Sequence, residues 1–485
     1  MARRRNPVPT LLVLVAVPAL LLGACWRYAS ARVPAPSTAA EDVTGAAPPP
    51  AALVTPLLSV RRAPAVLARD VNLAAFTAEV TAFLDRIGDA SCAAFSIDGV
   101  PVAAKNETQQ VRPASNVKLI TASVAAEVLG LDYTFTTEVR GALSGGVVTG
   151  NLYLVGGGDP VLNNSWWNGP NAKFPPFNST SVEEFVDRIV AAGVTRIDGS
   201  VVGDASRYDE EWYAPSWFDD VKFVEGGPVS ALLIDDSRET PTKAANDPVV
   251  GAAAVITNEL RDRGVAVSGE PSRGLMPGAT PVIASITSQP LPAILAEMLT
   301  TSDNTSAEML LKEIGHVRSS AGTREGGLAV VMQTLQSWGV PMDGIELVDG
   351  SGLSDDNRVT CAALLAVLQH QSFDDVVGSG LPVAAQPGGT LADAFDGTPM
   401  AGVLRAKTGT LYNYADGVGG RPAVKALSGF VPVEGGGAIE FSLLLNGPQI
   451  AEQVEYRPIW DALAVLLAAY PSGPSAADLG PVGVS

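Results

Sequence analysis

Histidine is almost missing from this chain: His316 and His370 are the two among 485 residues. A Ser-His-Asp triad would need one of them, and no Gly-x-Ser-x-Gly elbow supports it. His-Glu-x-x-His and Cys-x-x-Cys are absent as well, so the sequence points to no metal site, and no cofactor is expected. The glycine-rich "GGGDP" at 156–160 lacks the Gly-Lys-Ser/Thr of a phosphate loop and reads as a tight turn after a strand. Glu210 and Glu211, being adjacent, point to different sides of any regular element; they make a poor glycosidase pair and are expected to be solvated. Positive charge is in deficit, 32 Lys+Arg against 51 Asp+Glu, which argues against binding nucleic acid or anionic lipid by charge alone.

What is present describes a globular protein. At 47% hydrophobic and 17% charged residues the chain can bury a large core, and its length allows two or three domains. Arg3, Arg4 and Arg5 form a basic n-region ahead of an apolar run at 11–24, too short for a confident membrane span. Residues 1–24 are therefore expected to be a signal peptide or membrane anchor, and the protein to be exported to the outer face of the cytoplasmic membrane, the wall or the periplasm. "LLGAC" resembles a bacterial lipobox, in which Cys25 would carry the lipid; ordinary cleavage and an uncleaved anchor remain open beside it. Of the three cysteines, Cys92 and Cys361 then remain. An oxidising compartment would let them pair, but each sits in an apolar context that reads as a buried free thiol, and unpaired is the expectation.

The stretch 25–66, with "AAPPPAA", reads as an extended Pro/Ala-rich linker. "VNLAAFTAEVTAFLDRI" is an amphipathic helix, and "CAAFSIDGVPVAA" follows as two strands about Asp98-Gly99, a two-residue hairpin signal. Near the other end "VLRAKTGTL", "AVKALSGFVPV" and "AIEFSLLLNG" read as three strands, the last two joined at "EGGG", before a closing helix. Two strands early and three late suggest one antiparallel sheet built from both ends of the chain, an α+β fold. The first and last helices would cover one face, and the helical stretch from Leu291 to about His370 the other. Residues 67–140 and 287–470 would form that discontinuous domain, with 471–485 a flexible tail. Between its parts, 141–286 reads as an inserted, mostly β module of short strands broken by Gly, Asn and Asp. It holds Trp166, Trp167, Trp212 and Trp217, which read as its core rather than as a carbohydrate platform. The insert is expected to border the cleft and to be dispensable for the chemistry of the nucleophile.

Without histidine, a serine nucleophile needs another base. "RPASNVKLITASVAAEVLG" places Ser115 and Lys118 one turn apart where a helix begins, with Gly130 as its stop. Lysine serves as a base if its ammonium is desolvated or repelled by a second cation. The strand "VLRAKTGTL" supplies that cation in Lys407, with Thr408, Gly409 and Thr410 after it, and "TTSDNTSAEML" puts Ser302 and Asn304 in a polar break between two helices. Ser-x-x-Lys, Ser-x-Asn and Lys-Thr-Gly, in that order and on those elements, form a specific constellation.

With these motifs the sequence resembles the penicillin-recognising serine DD-peptidases. Together with the long insert, "LYLVGGGDP", "GPVSALLIDDSR", "LVDGSGLS" and "LRAKTGTL" make it look like the D-alanyl-D-alanine carboxypeptidase/endopeptidase family S13, the class C low-molecular-mass penicillin-binding proteins, from about Asp70 to Tyr470. That resemblance implies a penicillin-binding-protein/β-lactamase-like fold with a five-stranded antiparallel sheet and helices on both faces. It implies peptidoglycan stem peptides as substrate and β-lactam antibiotics as covalent inhibitors. It casts Ser115 as nucleophile, Lys118 as its base and Ser302 as proton relay. Asn304, Lys407, Thr408, Gly409 and Thr410 would bind substrate, with the backbone N–H groups of Ser115 and Thr410 holding the oxyanion. One departure is the longer loop "YNYADGVGGRPAVK" after the third motif, at the cleft rim. The rival readings are a β-lactamase or esterase on the same scaffold and a non-catalytic wall-binding protein.

Overall fold

The computed structural model describes residues 63–169, 174–219, 221–222, 225–240, 243–412, 423–433 and 437–480. The N-terminal leader, nearly all of the linker, most of the departing loop and most of the "EGGG" turn lie outside those residues. Helix α1 (Ala63–Leu84) leads to the hairpin β1 (Cys92–Ile97) and β2 (Val100–Lys105), then to a 3₁₀ turn, Ala114–Asn116, that runs into α2 (Val117–Leu129). The inserted region carries β3 (Thr136–Ser144), β4 (Val147–Val155), α3 (Val182–Ala191), β5 (Arg196–Ile197), β6 (Val201–Asp204), α4 (Pro248–Asp262), β7 (Ala266–Val267), β8 (Ser272–Arg273) and β9 (Val282–Thr287). After it come α5 (Leu291–Thr301), α6 (Asn304–Ser319), α7 (Arg324–Ser337), α8 (Cys361–His370), the strands β10 (Arg405–Leu411), β11 (Ala423–Pro432) and β12 (Ala438–Gly447), and α9 (Gln453–Ala468).

The two ends of the chain do make one sheet. Its order is β10-β11-β12-β1-β2, antiparallel throughout, with β12 next to β1 in the register Cys92↔Leu444 and Ile97↔Ile439. Asp98 and Gly99 turn the first hairpin with φ of 51° and 72°, the left-handed pair that a two-residue turn between twisted strands requires. Strand β12 is buried at all but its last residue, as expected of a central strand covered on both faces. On one face Ala94, Val424, Phe430 and Leu444 pack with Leu119 of α2 and with Leu295, Leu311 and Leu364 of the middle helices. On the other, Phe95, Leu427, Phe441 and Leu443 pack with Phe76 and Phe83 of α1 and Trp460 and Leu463 of α9. The fold is α+β with helices on both faces, as the resemblance implies.

Three local expectations change. Cys92 and Cys361 are not free thiols: they form a disulfide with Cα atoms 5.8 Å apart, because α8 begins against the face of the sheet on which β1 starts. Pairing depends on distance in space, and a sequence separation of 269 carries no such information. Helix α1 already covers Ala63 to Val66, residues expected to be linker, and past residue 470 Asn72 Nδ2 of α1 still donates to Pro474 O at 3.1 Å, so the tail starts as a docked segment. The region expected to be mostly β is built around a seven-stranded mixed sheet, with parallel pairs β4–β6 and β4–β5 beside the antiparallel β3–β4 and β3–β9. Helices α3 and α4 share its core through Phe185, Ile189, Ile256 and Leu260. Ser181 and Asp247 cap those helices by accepting from backbone N–H groups of the first turn, and the caps place the helix starts where apolar periodicity alone is short and ambiguous.

Candidate active site

The first motif lies at the junction of the 3₁₀ turn and α2. Ser115 sits in the turn, half-buried, while Lys118 is one turn into the helix system and has no exposed surface. Lys118 Nζ donates to Ser115 Oγ at 3.1 Å, to Asn304 Oδ1 at 2.6 Å and to the Ser351 carbonyl at 2.7 Å. Burial pulls its pKa down from 10.5 to about 8, against the opposing pull of Asp303, Asp349, Glu308 and Glu225. Of the two ways to lower a lysine's pKa, desolvation and a second cation, desolvation is the one that acts at Lys118.

The second motif is a helix break. Helix α5 ends at Thr301, Ser302 takes the left-handed conformation with φ 65°, and Asp303 caps α6 by accepting from Thr305 N and Ser306 N at 3.0 Å each. A left-handed non-glycine residue costs on the order of 1 kcal/mol or more and persists where packing over-determines it. That reversal leaves Ser302, Asp303 and Asn304 on the cleft wall. The third motif lies on β10, the edge strand of the sheet. Lys407 is fully buried, and its Nζ donates to Ser302 Oγ at 2.8 Å and to Thr408 O at 2.9 Å. Burial first, then the neighbouring Lys118 and Lys425, holds its pKa well below the ordinary lysine value.

Gly409 lets β10 approach the serine turn: a Cβ there would lie 2.9 Å from Pro113 O and 3.0 Å from Ala114 Cβ. Asn116 Nδ2, donating to Lys407 O at 3.2 Å, fastens the same pair of elements. Gly352, at φ +81°, passes so close that a Cβ would fall 1.9 Å from Ala114 O. Around these residues is a cleft of about 490 Å³ lined by Ser115, Ser302, Asn304, Thr408, Gly409 and Thr410. All eight residues singled out in the three motifs thus meet in one place, six on the cleft wall and the two lysines buried directly behind it. Neither histidine lines the cleft, and His370 stacks on Trp338 with ring centroids 4.0 Å apart.

The sequence motifs missed part of the site. The insert supplies Asn163, Trp167, Glu225 and Asp236 to the cleft lining, and Glu297 joins them from α5. The tryptophans divide: Trp217 is buried, Trp167 is buried at the cleft, Trp212 is half-buried and Trp166 is 37% exposed. Glu210 and Glu211 are not merely solvated, since Glu210 pairs with Arg273 and Glu211 with the buried Arg324. "LVDGSGLS", which carried part of the family resemblance, supplies the Ser351 carbonyl that accepts from Lys118 and the buried Asp349 carboxylate.

A desolvated lysine beside a serine hydroxyl can accept that hydroxyl's proton, and a second lysine with a threonine on an edge strand can hold a carboxylate. The sequence model of the D-Ala-D-Ala carboxypeptidase 3 (S13) family matches residues 92–247 and 236–470. The chain belongs to that family of peptidases. A D-alanyl-D-alanine carboxypeptidase of Actinomadura sp. (strain R39) is 28% identical over 446 residues, covering 75% of this chain and 78% of that protein. Carboxypeptidase DacB of Mycolicibacterium smegmatis is 30% identical over 384 residues, 74% of this chain and 75% of the relative. Among solved structures, penicillin binding protein 4 of Haemophilus influenzae superposes with a TM-score of 0.66 at 20% identity, covering 79% of this chain and 98% of that one. The S13 chain described here is accordingly a hydrolase with a penicillin-binding-protein fold.

Proposed function

We propose that this S13 protein is a serine DD-peptidase that hydrolyses D-alanyl-D-alanine bonds of peptidoglycan stem peptides, and cross-link bonds of the same chemistry, through an acyl-enzyme on Ser115. The observation that carries the reading is the fully buried Lys118, with its pKa near 8, in hydrogen-bond contact with Ser115 Oγ. Lys118 Nζ takes the hydroxyl proton as Oγ attacks the scissile carbonyl. The oxyanion is held by the backbone N–H groups of Ser115 and Thr410. Collapse of the tetrahedral species breaks the C–N bond, and Ser302 passes the proton to the departing D-alanine amine. Asn304 binds the peptide amide, and Lys407 with Thr408 holds the terminal carboxylate. Water then cleaves the ester. A β-lactam carries a strained amide beside a carboxylate and enters by the same contacts; its leaving group stays attached, so the ester persists.

Intact-mass spectrometry after exposure to benzylpenicillin is expected to show one added drug mass, mapped to Ser115 and absent in Ser115→Ala, and a D-Ala-D-Ala peptide is expected to release D-alanine. A folded wild type that gains no mass sinks the reading. Rapid release of opened drug instead indicates a β-lactamase.

Substrate in the wall requires export, and the sequence of the leader supports it. Cys25→Ala is expected to change the processing of the exported chain if Cys25 is lipidated. Failure of labelled fatty acid to enter the wild-type protein leaves cleavage or anchoring as the route.

A further inference from the structure

Lys118 has two hydrogen-bond acceptors besides the reacting oxygen, Asn304 Oδ1 and the Ser351 carbonyl, and neither stands unaided. Asn304 Nδ2 donates to the carbonyl of Glu225, in the insert, at 2.5 Å. A flipped amide would turn its NH₂ toward Lys118 and its oxygen toward another carbonyl, so the insert fixes which end the lysine meets.

Ser351 is held from behind. Its N–H and that of Gly350 both donate to Glu308 Oε1 at 2.8 Å, which points the Ser351 carbonyl at Lys118. Glu308 Oε2 accepts from Arg324 Nε at 3.1 Å, and Arg324 Nη1 donates to Glu211 of the insert. The same loop is wound on a second buried carboxylate. Asp349 accepts from Gly352 N at 2.8 Å, Ser354 N at 2.6 Å, Asn357 Nδ2 at 2.8 Å and Trp217 Nε1, again from the insert, at 2.9 Å. Glu308, Asp349, Arg324 and Trp217 are all nearly or fully buried, so these bonds form where a misplaced partner cannot be replaced by bulk water.

We propose that the insert completes the general-base assembly: Glu308, Arg324 and Asp349 are positioning residues that aim the Ser351 carbonyl at Lys118, and Glu211, Trp217 and Glu225 of the insert hold that arrangement in place. The inference rests on Lys118 being the base for Ser115. It reverses the expectation that the insert is dispensable for acylation, because each of the two groups that locate Lys118 is tied to it. The charged groups around Lys118 are Asp303, Asp349, Glu308 and Glu225, each favouring its protonated form, and the Lys407 amine lies behind Ser302 with its own pKa held well below the ordinary lysine value by burial and then by Lys118 and Lys425.

The test is the rate of Ser115 acylation by benzylpenicillin in the full chain, followed by mass from pH 6 to pH 10 and normalised to the fraction that labels at completion. Glu308→Gln is expected to lower the high-pH rate about tenfold or more, the scale of a modest misplacement of a catalytic group. It is also expected to move the rising limb toward acid, because a carboxylate that favours the protonated lysine is gone. Trp217→Phe leaves every charge in place and is expected to lower the rate several-fold (~3–10-fold) with the limb unmoved. A merely structural role would reduce the labelled fraction or the melting temperature and leave the normalised rate and limb unchanged; that result in both variants overturns the proposal. If Glu308→Gln does not fold, Trp217→Phe and Glu211→Gln decide: wild-type normalised rates in both overturn it. A wild type that never labels on Ser115 overturns the proposed function itself, whereas a labelling wild type with indifferent variants overturns this inference alone.

Discussion

Lys118→Ala is expected to slow acylation of Ser115 by benzylpenicillin by at least roughly 10²-fold, the loss typical of a positioned general base. The site contains no histidine to substitute for it, and Lys407, the other lysine of the three motifs, donates to Ser302 rather than to Ser115. The pH profile carries the sharper signature. Burial lowers the Lys118 pKa from 10.5 to about 8, so the neutral, proton-accepting form grows as pH rises through 8 and is scarce at pH 6. Wild-type acylation is therefore expected to climb with pH through that region and level off above it, and the climb should vanish in Lys118→Ala along with the rate. A variant that keeps both the rate and the limb would remove Lys118 from the mechanism and return the search for a base to the beginning.

The double variant Cys92→Ala/Cys361→Ala is expected to lose about 2–5 kcal/mol of stability, read as a lower urea midpoint against the oxidised wild type. The bond closes a loop of 269 residues in sequence, so it restricts the unfolded chain strongly. Both sulfurs are buried where β1 meets α8, within the core cluster that also holds Leu119 and Leu444. Neither cysteine lines the cleft, so the folded variant should still acylate Ser115. An unchanged midpoint would mean that packing alone holds β1 to α8. A bond of this kind persists in an oxidising compartment, which is the environment that the proposed export of the chain supplies.

The proposed catalytic constellation was legible because its parts are local. Ser115 and Lys118 are three residues apart, Ser302 and Asn304 two, and Lys407 to Thr410 are consecutive, so helix, break and strand periodicities place each set without knowledge of the others. The sheet was legible for a similar reason. Its hairpin carries Asp98-Gly99 at the turn, and β11 and β12 read as apolar runs of strand length. The helices of the insert were harder: α3 has ten residues and lies between short strands, and its start depends on the Ser181 side chain accepting from Glu184 N.

By itself, then, the sequence determined the α+β class, the sheet assembled from both chain ends, and the three short sets that hold Ser115, Lys118 and Lys407, because period and short spacing encode all of these; the proposed roles of those residues come from the resemblance to the DD-peptidases. Only the tertiary structure decided that Cys92 reaches Cys361, that Asp236 and Trp167 face the cleft, and that Trp217 and Glu211 stand behind the loop that aims at Lys118. Each of those depends on where residues tens to hundreds apart meet in space. Apolar patterning says that a residue is buried; it does not say against what. The lysine shows the difference most plainly. Its place on the helix is written in the sequence, but its burial and the carboxylates that oppose the resulting fall in its pKa belong to the packed molecule.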